Sequence, residues 1–180
     1  MKQTLILKST LIFSLLLSPL FAQEDSFIND YLERLENSQK YLILVAESMP
    51  EDNYSFKASP ESLSFAENLI HIAWAMDWHS QSLLGGRKAR DWETDTELRF
   101  RSKSKKQMIA KVNQTFDKTI ECIKRFDVAK LDDELDYFGL NRSKRQILLL
   151  LADHITHHRA QMLVYMRLNG QVPPRYVLFQ

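Results

Sequence analysis

The sequence predicts an all-α fold, a four-helix bundle, and three observations carry that expectation. Four long segments place apolar residues at alternating three- and four-residue spacing, the period of one helical face. Only four glycines and five prolines occur among 180 residues, and they lie at or beyond the ends of those segments, where turns belong. Nothing repeats, and no stretch alternates apolar and polar residues for long enough to read as a strand.

The chain begins with a segment to be set apart from the fold. Lys2 and Lys8 give a positive start, Leu11 to Leu17 form an apolar run, Pro19 breaks it, and Ala22 precedes Gln23-Glu24-Asp25. This is the layout of a secretory signal peptide over 1–22, with an apolar run too short to span a bilayer. Leu20 is bulky for a position three residues before a cut, where small side chains are usual. No cysteine stands near the cut to take a lipid anchor. The expected product is exported, periplasmic or secreted, with one domain over 23–180 and no stable membrane insertion once the leader is removed.

The first helix is expected from about Asp25 to Met49, with Ile28, Tyr31, Leu35, Leu42, Val45 and Met49 on one stripe. Residues 50–60 connect it to a second helix, for which Ser59 is a candidate N-cap and Pro60 a first-turn residue. That helix carries Phe65, Leu69, Ile72 and Met76 on one face, and His71, Trp74, Ala75 and Trp78 on the next. So much apolar surface implies burial on more than one side, up to the stop at Gly85-Gly86. Arg87 to Ser102 is a polar connection without period, of a length that tends to be functional or mobile. A third helix is expected from about Ser104 to Phe126, with Met108, Val112, Phe116, Thr119 and Ile123 in register. Leu131 to Leu140 links it to a fourth. Asn141 is the candidate cap there, and Leu168 the last residue before Asn169-Gly170 and Pro173-Pro174 bar continuation.

The formal net charge of +1, lowered further by removal of two lysines with the leader, gives no basic footprint, so no nucleic-acid partner is expected. Cys122 is the single cysteine. An exported chain with one thiol has no internal disulfide and must rest on its core. Cys122 stands among Ile120, Ile123 and Phe126 and reads as a small hydrophobe rather than a nucleophile.

The stretch Asp153-His154-Ile155-Thr156-His157-His158-Arg159-Ala160-Gln161 carries the chemistry. Residues four apart return to within about 40° of the same helical face, so His154 and His158 project together. They replace hydrophobes in a stripe that also holds Ile147, Leu151, Gln161 and Tyr165. An imidazole in such a seam needs partners for its ring nitrogens, and a metal ion is one. A third ligand from the second helix would complete a site with an open coordination position, the mark of a catalytic rather than a structural centre. His71 is one candidate and His79, in line with Ile72 and Met76, is another; helical geometry does not choose between them. His157 points about 100° away from His158 and reads as a surface residue or as one that supports a ligand from behind. A zincin-type protease would need Glu directly after the first histidine; Ile155 is there instead. Glu67 and Asp153 are nearby carboxylates, each read first as a surface charge or cap and second as a catalytic acid or base.

These residues resemble the DinB/YfiT-like metalloenzyme family over most of 23–180. Met49-Pro50, Tyr54-Ser55-Phe56 and Ser59-Pro60 are similar to the connector after that family's first helix, and Phe65 through His71-Ile72-Ala73 to its first histidine segment. His154 to Gln161, with Leu168-Asn169-Gly170 and Pro173-Pro174 behind it, resembles its closing histidine helix. The resemblance implies a four-helix bundle with a three-histidine divalent-metal site at His71, His154 and His158, and so selects His71 over His79. Ala160 stands where relatives commonly have glycine, a change with little expected consequence for the metal because alanine is barely larger and the better helix former. The resemblance also implies a small-molecule substrate and raises a homodimer as a partner to test, although no stripe here is surplus to one bundle.

The reading that follows is an exported divalent-metal-binding protein, Zn²⁺ or Ni²⁺ being the expected ion, acting as a metal-dependent hydrolase or transferase. A metal of this kind can lower the pKa of water to roughly 7 and so make a nucleophile available at neutral pH. The resemblance offers a thiol-dependent S-transferase as an alternative, weakened by export into an oxidising compartment. A non-enzymatic metal-binding protein is another, and a structural bundle whose histidines hydrogen-bond internally a third. Substrate, reaction and catalytic base are left open by the sequence.

Overall fold

A computed structural model of the chain describes residues 26–99 and 104–176. The expected signal peptide, 1–22, lies outside them. Four helices form the frame: α1 over 26–48, α2 at Phe65–Asp77, α3 at Lys105–Lys124 and α4 at Lys144–Leu168. α2 packs against both α3 and α4, and Tyr31 Oη ties α1 to α4 by donating to the Leu148 carbonyl at 2.8 Å.

The stripes predicted from spacing are the faces that go inside. Every apolar residue expected on the α1 stripe is buried, as are Phe65, Leu69, Ile72 and Met76 of α2 and Met108, Val112, Phe116, Thr119 and Ile123 of α3. At about 1.5–3 kcal/mol for each fully buried large apolar side chain, these faces supply the driving force for the bundle. No helix among the described residues is long and apolar enough to cross a membrane.

Two helix starts differ from expectation, for one physical reason. α2 does not begin at Ser59-Pro60, which lie in turns; Ser64 caps it. Its side chain accepts from the Glu67 backbone N–H at 3.1 Å while Glu67 Oε2 accepts from the Ser64 N–H at 2.7 Å. Likewise Asn141 does not cap α4; Ser143 and Gln146 do, through the same reciprocal pair. The box satisfies two otherwise orphaned N–H groups at once, worth about 1 kcal/mol relative to alanine at the cap. Ser104 and Gln107 repeat it at α3.

The expected link at 131–140 holds a two-stranded hairpin, β1 at Glu134–Tyr137 and β2 at Leu140–Ser143, paired antiparallel with Tyr137 opposite Leu140. Its two-residue turn places Phe138 at φ 55° and Gly139 at φ 80°, the doubly left-handed form that matches strand twist. Asn141 therefore sits within β2.

α2 does not simply end but runs on as a π-helical turn, Trp78–Leu84. The Gly85 N–H reaches back five residues to the Ser80 carbonyl at 2.9 Å. A Cβ on Gly85 would stand 2.9 Å from the Gln81 carbonyl oxygen, so the stop expected at Gly85-Gly86 is fixed by a close backbone approach. The connection after it is pinned as far as residue 99. Buried Asp77 takes Arg87 and Arg90, and Arg90 also binds Asp95 at 2.8 Å and Glu97 at 3.2 Å. Asp95 in turn accepts from the Leu98 N–H, and Leu98 is in the core.

Candidate metal centre

α2 and α4 together bring His71, His154 and His158 to one place. One ring nitrogen from each lies within 4.8 Å of the other two, and the ring centroids are 4.5–4.9 Å apart. The four-residue step on α4 sets two imidazoles side by side, and the packing of α2 on α4 supplies the third. No carboxylate joins this donor group among the described residues.

The surroundings of His158 and His154 show how two of the rings are prepared. Asn68 is fully buried on α2 and donates its amide to the Ser64 and Leu63 carbonyls at 2.9 and 3.2 Å. That fixes Asn68 Oδ1 as an acceptor, 2.8 Å from His158 Nδ1. His158 therefore carries its proton on Nδ1 and keeps the Nε2 lone pair, the arrangement by which an outer hydrogen bond orients a metal-ligating histidine. His154 Nε2 is buried and has no hydrogen-bond partner. An orphaned buried nitrogen costs about 1–3 kcal/mol, unless an ion between the rings takes its lone pair.

Electrostatics favour the ligand form. Burial, then the imidazoles of His158 and His71, push the His154 pKa down to about 3. Burial with His71 and His157 takes His158 to about 4, and burial lowers His71. All three are neutral at physiological pH, and neutral imidazole is the form that coordinates. The residues present thus fit a divalent ion: three neutral nitrogen donors, one with a fixed tautomer and one with nothing else to bind.

The remaining histidines go elsewhere. His79 is buried with both nitrogens engaged, donating from Nδ1 to the Ala75 carbonyl at 2.7 Å and accepting at Nε2 from Tyr137 Oη at 3.1 Å. His157 is exposed and pairs with Gln161. Glu67 is held in its capping box and beside Lys57, and Asp153 is exposed opposite Arg34; neither carboxylate reaches the rings. Cys122 is half-buried with Sγ donating to the Ser80 carbonyl, and burial raises its pKa, as expected of a packing residue.

Sequence reasoning passed over Asn68, whose signal was present: a lone amide one turn before His71 in an apolar helix must have a buried partner. It also passed over Trp92, 6.3 Å from the His71 ring and 4.5 Å from Trp74. No local pattern announces that contact, because the ion pairs of Arg90 create it. Trp74 and Trp78, expected on a second buried face of α2, are half-buried; Trp74 packs against the core and Trp78 against His79.

Comparison with known proteins agrees with this architecture. The chain is 26% identical over 133 residues to the uncharacterized protein YjoA of Bacillus subtilis (strain 168), covering 70% of this chain and 80% of that protein. The crystal structure of that DinB-like protein superposes with a TM-score of 0.64 at 21% identity, covering 86% of this chain and 99% of its own. A DinB-like protein from Bacillus cereus ATCC 10987 gives 0.64 at 22% identity, over 84% and 95%. The profile of the DinB superfamily matches residues 34–162, most of the bundle including all three clustered histidines, and the chain belongs to that superfamily.

Proposed function

We propose that this chain is an exported metal-dependent enzyme that holds one divalent ion, zinc or nickel, on His71, His154 and His158 and acts on a small organic substrate by hydrolysis or group transfer. The observation that carries the metal is His154 Nε2, buried without a partner on a ring grouped with two other neutral imidazoles. Imidazole donors suit zinc, nickel, copper or iron, and three of them leave room for a further ligand. When bound, the ion would supply Lewis-acid polarisation or activation of a nucleophile. The protein's own part is to keep the rings neutral by burial, to aim His158 through Asn68 and to present the open side to solvent. The leader-like segment 1–22 supports export.

The test is the metal content of the protein isolated from its own compartment without a nickel column, with intact mass read on the same sample. About one equivalent of a transition metal and a chain shortened near Gln23 are expected. A full-length chain would remove export. No metal, and no uptake on titration with zinc or nickel, would return the three histidines to ordinary core residues.

A further inference from the structure

Trp92 stands edge-on to His71 of the candidate metal centre, with ring centroids 6.3 Å apart, and Trp78 stands against the neighbouring His79 at 4.9 Å. Trp74 and Trp78 follow His71 by three and seven residues, the spacing that keeps side chains on one helical face. Two other elements add aromatic rings to that face. The connection after α2 lays Trp92 edge-on against Trp74, with ring centroids 4.5 Å apart. The β1–β2 hairpin brings Phe138 to 5.2 Å and Tyr137 to 5.4 Å from Trp78.

Core packing accounts for Trp74 but not for the outer rings. Trp92 is 48% exposed and Phe138 79% exposed, so Phe138 contributes little burial energy and Trp92 leaves about half of its surface open. Phe138 also adopts φ 55°, a left-handed conformation that costs a non-glycine residue about 1 kcal/mol or more. A position that favours asparagine or glycine holds instead a large ring pointing outward. Both contributing segments are anchored: Arg90 ties the connection to Asp77, and His79 ties the hairpin to the π-helical turn. The two segments that carry Trp92 and Phe138 are thereby tied to α2 and the turn that continues it.

We propose that the substrate carries a planar apolar group, such as an aromatic ring, which seats on the wall built by Trp74, Trp78, Trp92 and Phe138 while its reacting end faces the three histidines. This rests on the metal-enzyme reading above and sharpens it, because a protein that only stores metal has no use for an organic docking wall. Offset or edge-on contact with aromatic rings favours planar apolar groups over small aliphatic ones.

Acetohydroxamate and benzohydroxamate present the same metal-binding head with a methyl or a phenyl tail. Titrated by calorimetry into the zinc-loaded protein, benzohydroxamate should bind on the order of tenfold tighter, after correction for their relative affinity for zinc in water. In Trp92→Ala combined with Phe138→Gly the preference should fall toward one while zinc affinity stays. Phe138→Gly also relieves the left-handed strain, so loss of folding is not the expected outcome. Equal binding of the two probes to the wild type, or a preference undiminished in the double variant, overturns the aromatic wall and leaves the metal reading standing. Failure of the wild type to take up zinc overturns both.

Discussion

His79 and His154 lie on packed helical segments with ring centroids 6.4 Å apart, and burial drives both toward the neutral form. Their nitrogens nevertheless meet opposite circumstances. His79 is saturated, with Ala75 on one side and Tyr137 on the other. His154 keeps a buried Nε2 for which no partner is found, on a ring grouped with two more imidazoles. The two rings show that placement on an apolar helix does not decide a histidine's role. What decides it is whether the surrounding chain already satisfies both nitrogens. One ring fastens a hairpin; the other is left for an ion.

The sharpest way to break this contrast is to truncate both. His154→Ala or His158→Ala should lower zinc affinity on the order of a thousandfold or more, since each removes one of only three donors. Far-UV circular dichroism should remain helical, because the apolar members of the buried stripes are untouched in all four helices. His79→Ala should leave zinc affinity near that of the wild type and instead weaken the attachment of the hairpin. Calorimetric titration of the three variants checks the pattern. Full affinity in both α4 variants, or loss in the His79 variant, would reverse the assignments.

A smaller effect is expected one bond further out. Asn68→Ala removes the acceptor that holds the His158 Nδ1 proton and should cost about 10–100-fold in metal affinity, as removal of outer hydrogen bonds to ligating histidines does elsewhere. Asn68 also bonds the α2 start through Ser64 and Leu63, so stability will fall in any case. Zinc titration beside thermal unfolding separates the two roles. A drop in melting temperature with unchanged affinity would confine Asn68 to the helix.

The same contrast explains what the sequence made legible. Stripes such as Ile28-Tyr31-Leu35 in α1 and Met108-Val112-Phe116 in α3 are strictly local, governed by helical period, and every member is buried. The grouping of His154 with His158 follows from a single helical turn. The choice of His71 over His79 did not follow from spacing, because it depends on the Tyr137 hydroxyl, brought to His79 by a hairpin 58 residues away. That hairpin was itself hidden. Its strands are four residues each with none fully buried, and its turn is Phe-Gly rather than Asn-Gly. The helix starts at Ser64 and Ser143 were readable as Ser-x-x-Glu and Ser-x-x-Gln, but Pro60 and Asn141 offered competing signals nearby. Serine with a reciprocating partner three residues on prevails, because it satisfies two backbone groups where a lone cap satisfies one.

The smallest expected effect isolates the bond that separates the two histidines. Tyr137→Phe keeps the ring against Trp78 and Phe138 but removes the hydroxyl proton that His79 Nε2 accepts. The net loss of a single hydrogen bond at a half-buried site is about 1 kcal/mol, readable as a lower urea midpoint with unchanged slope. Zinc affinity should not move, since nothing in the His71–His154–His158 group touches Tyr137. If it falls instead, the freed His79 competes for the ion or shifts His154, 6.4 Å away. In that case Tyr137 keeps the fourth buried imidazole out of the metal centre as well as holding the hairpin in place.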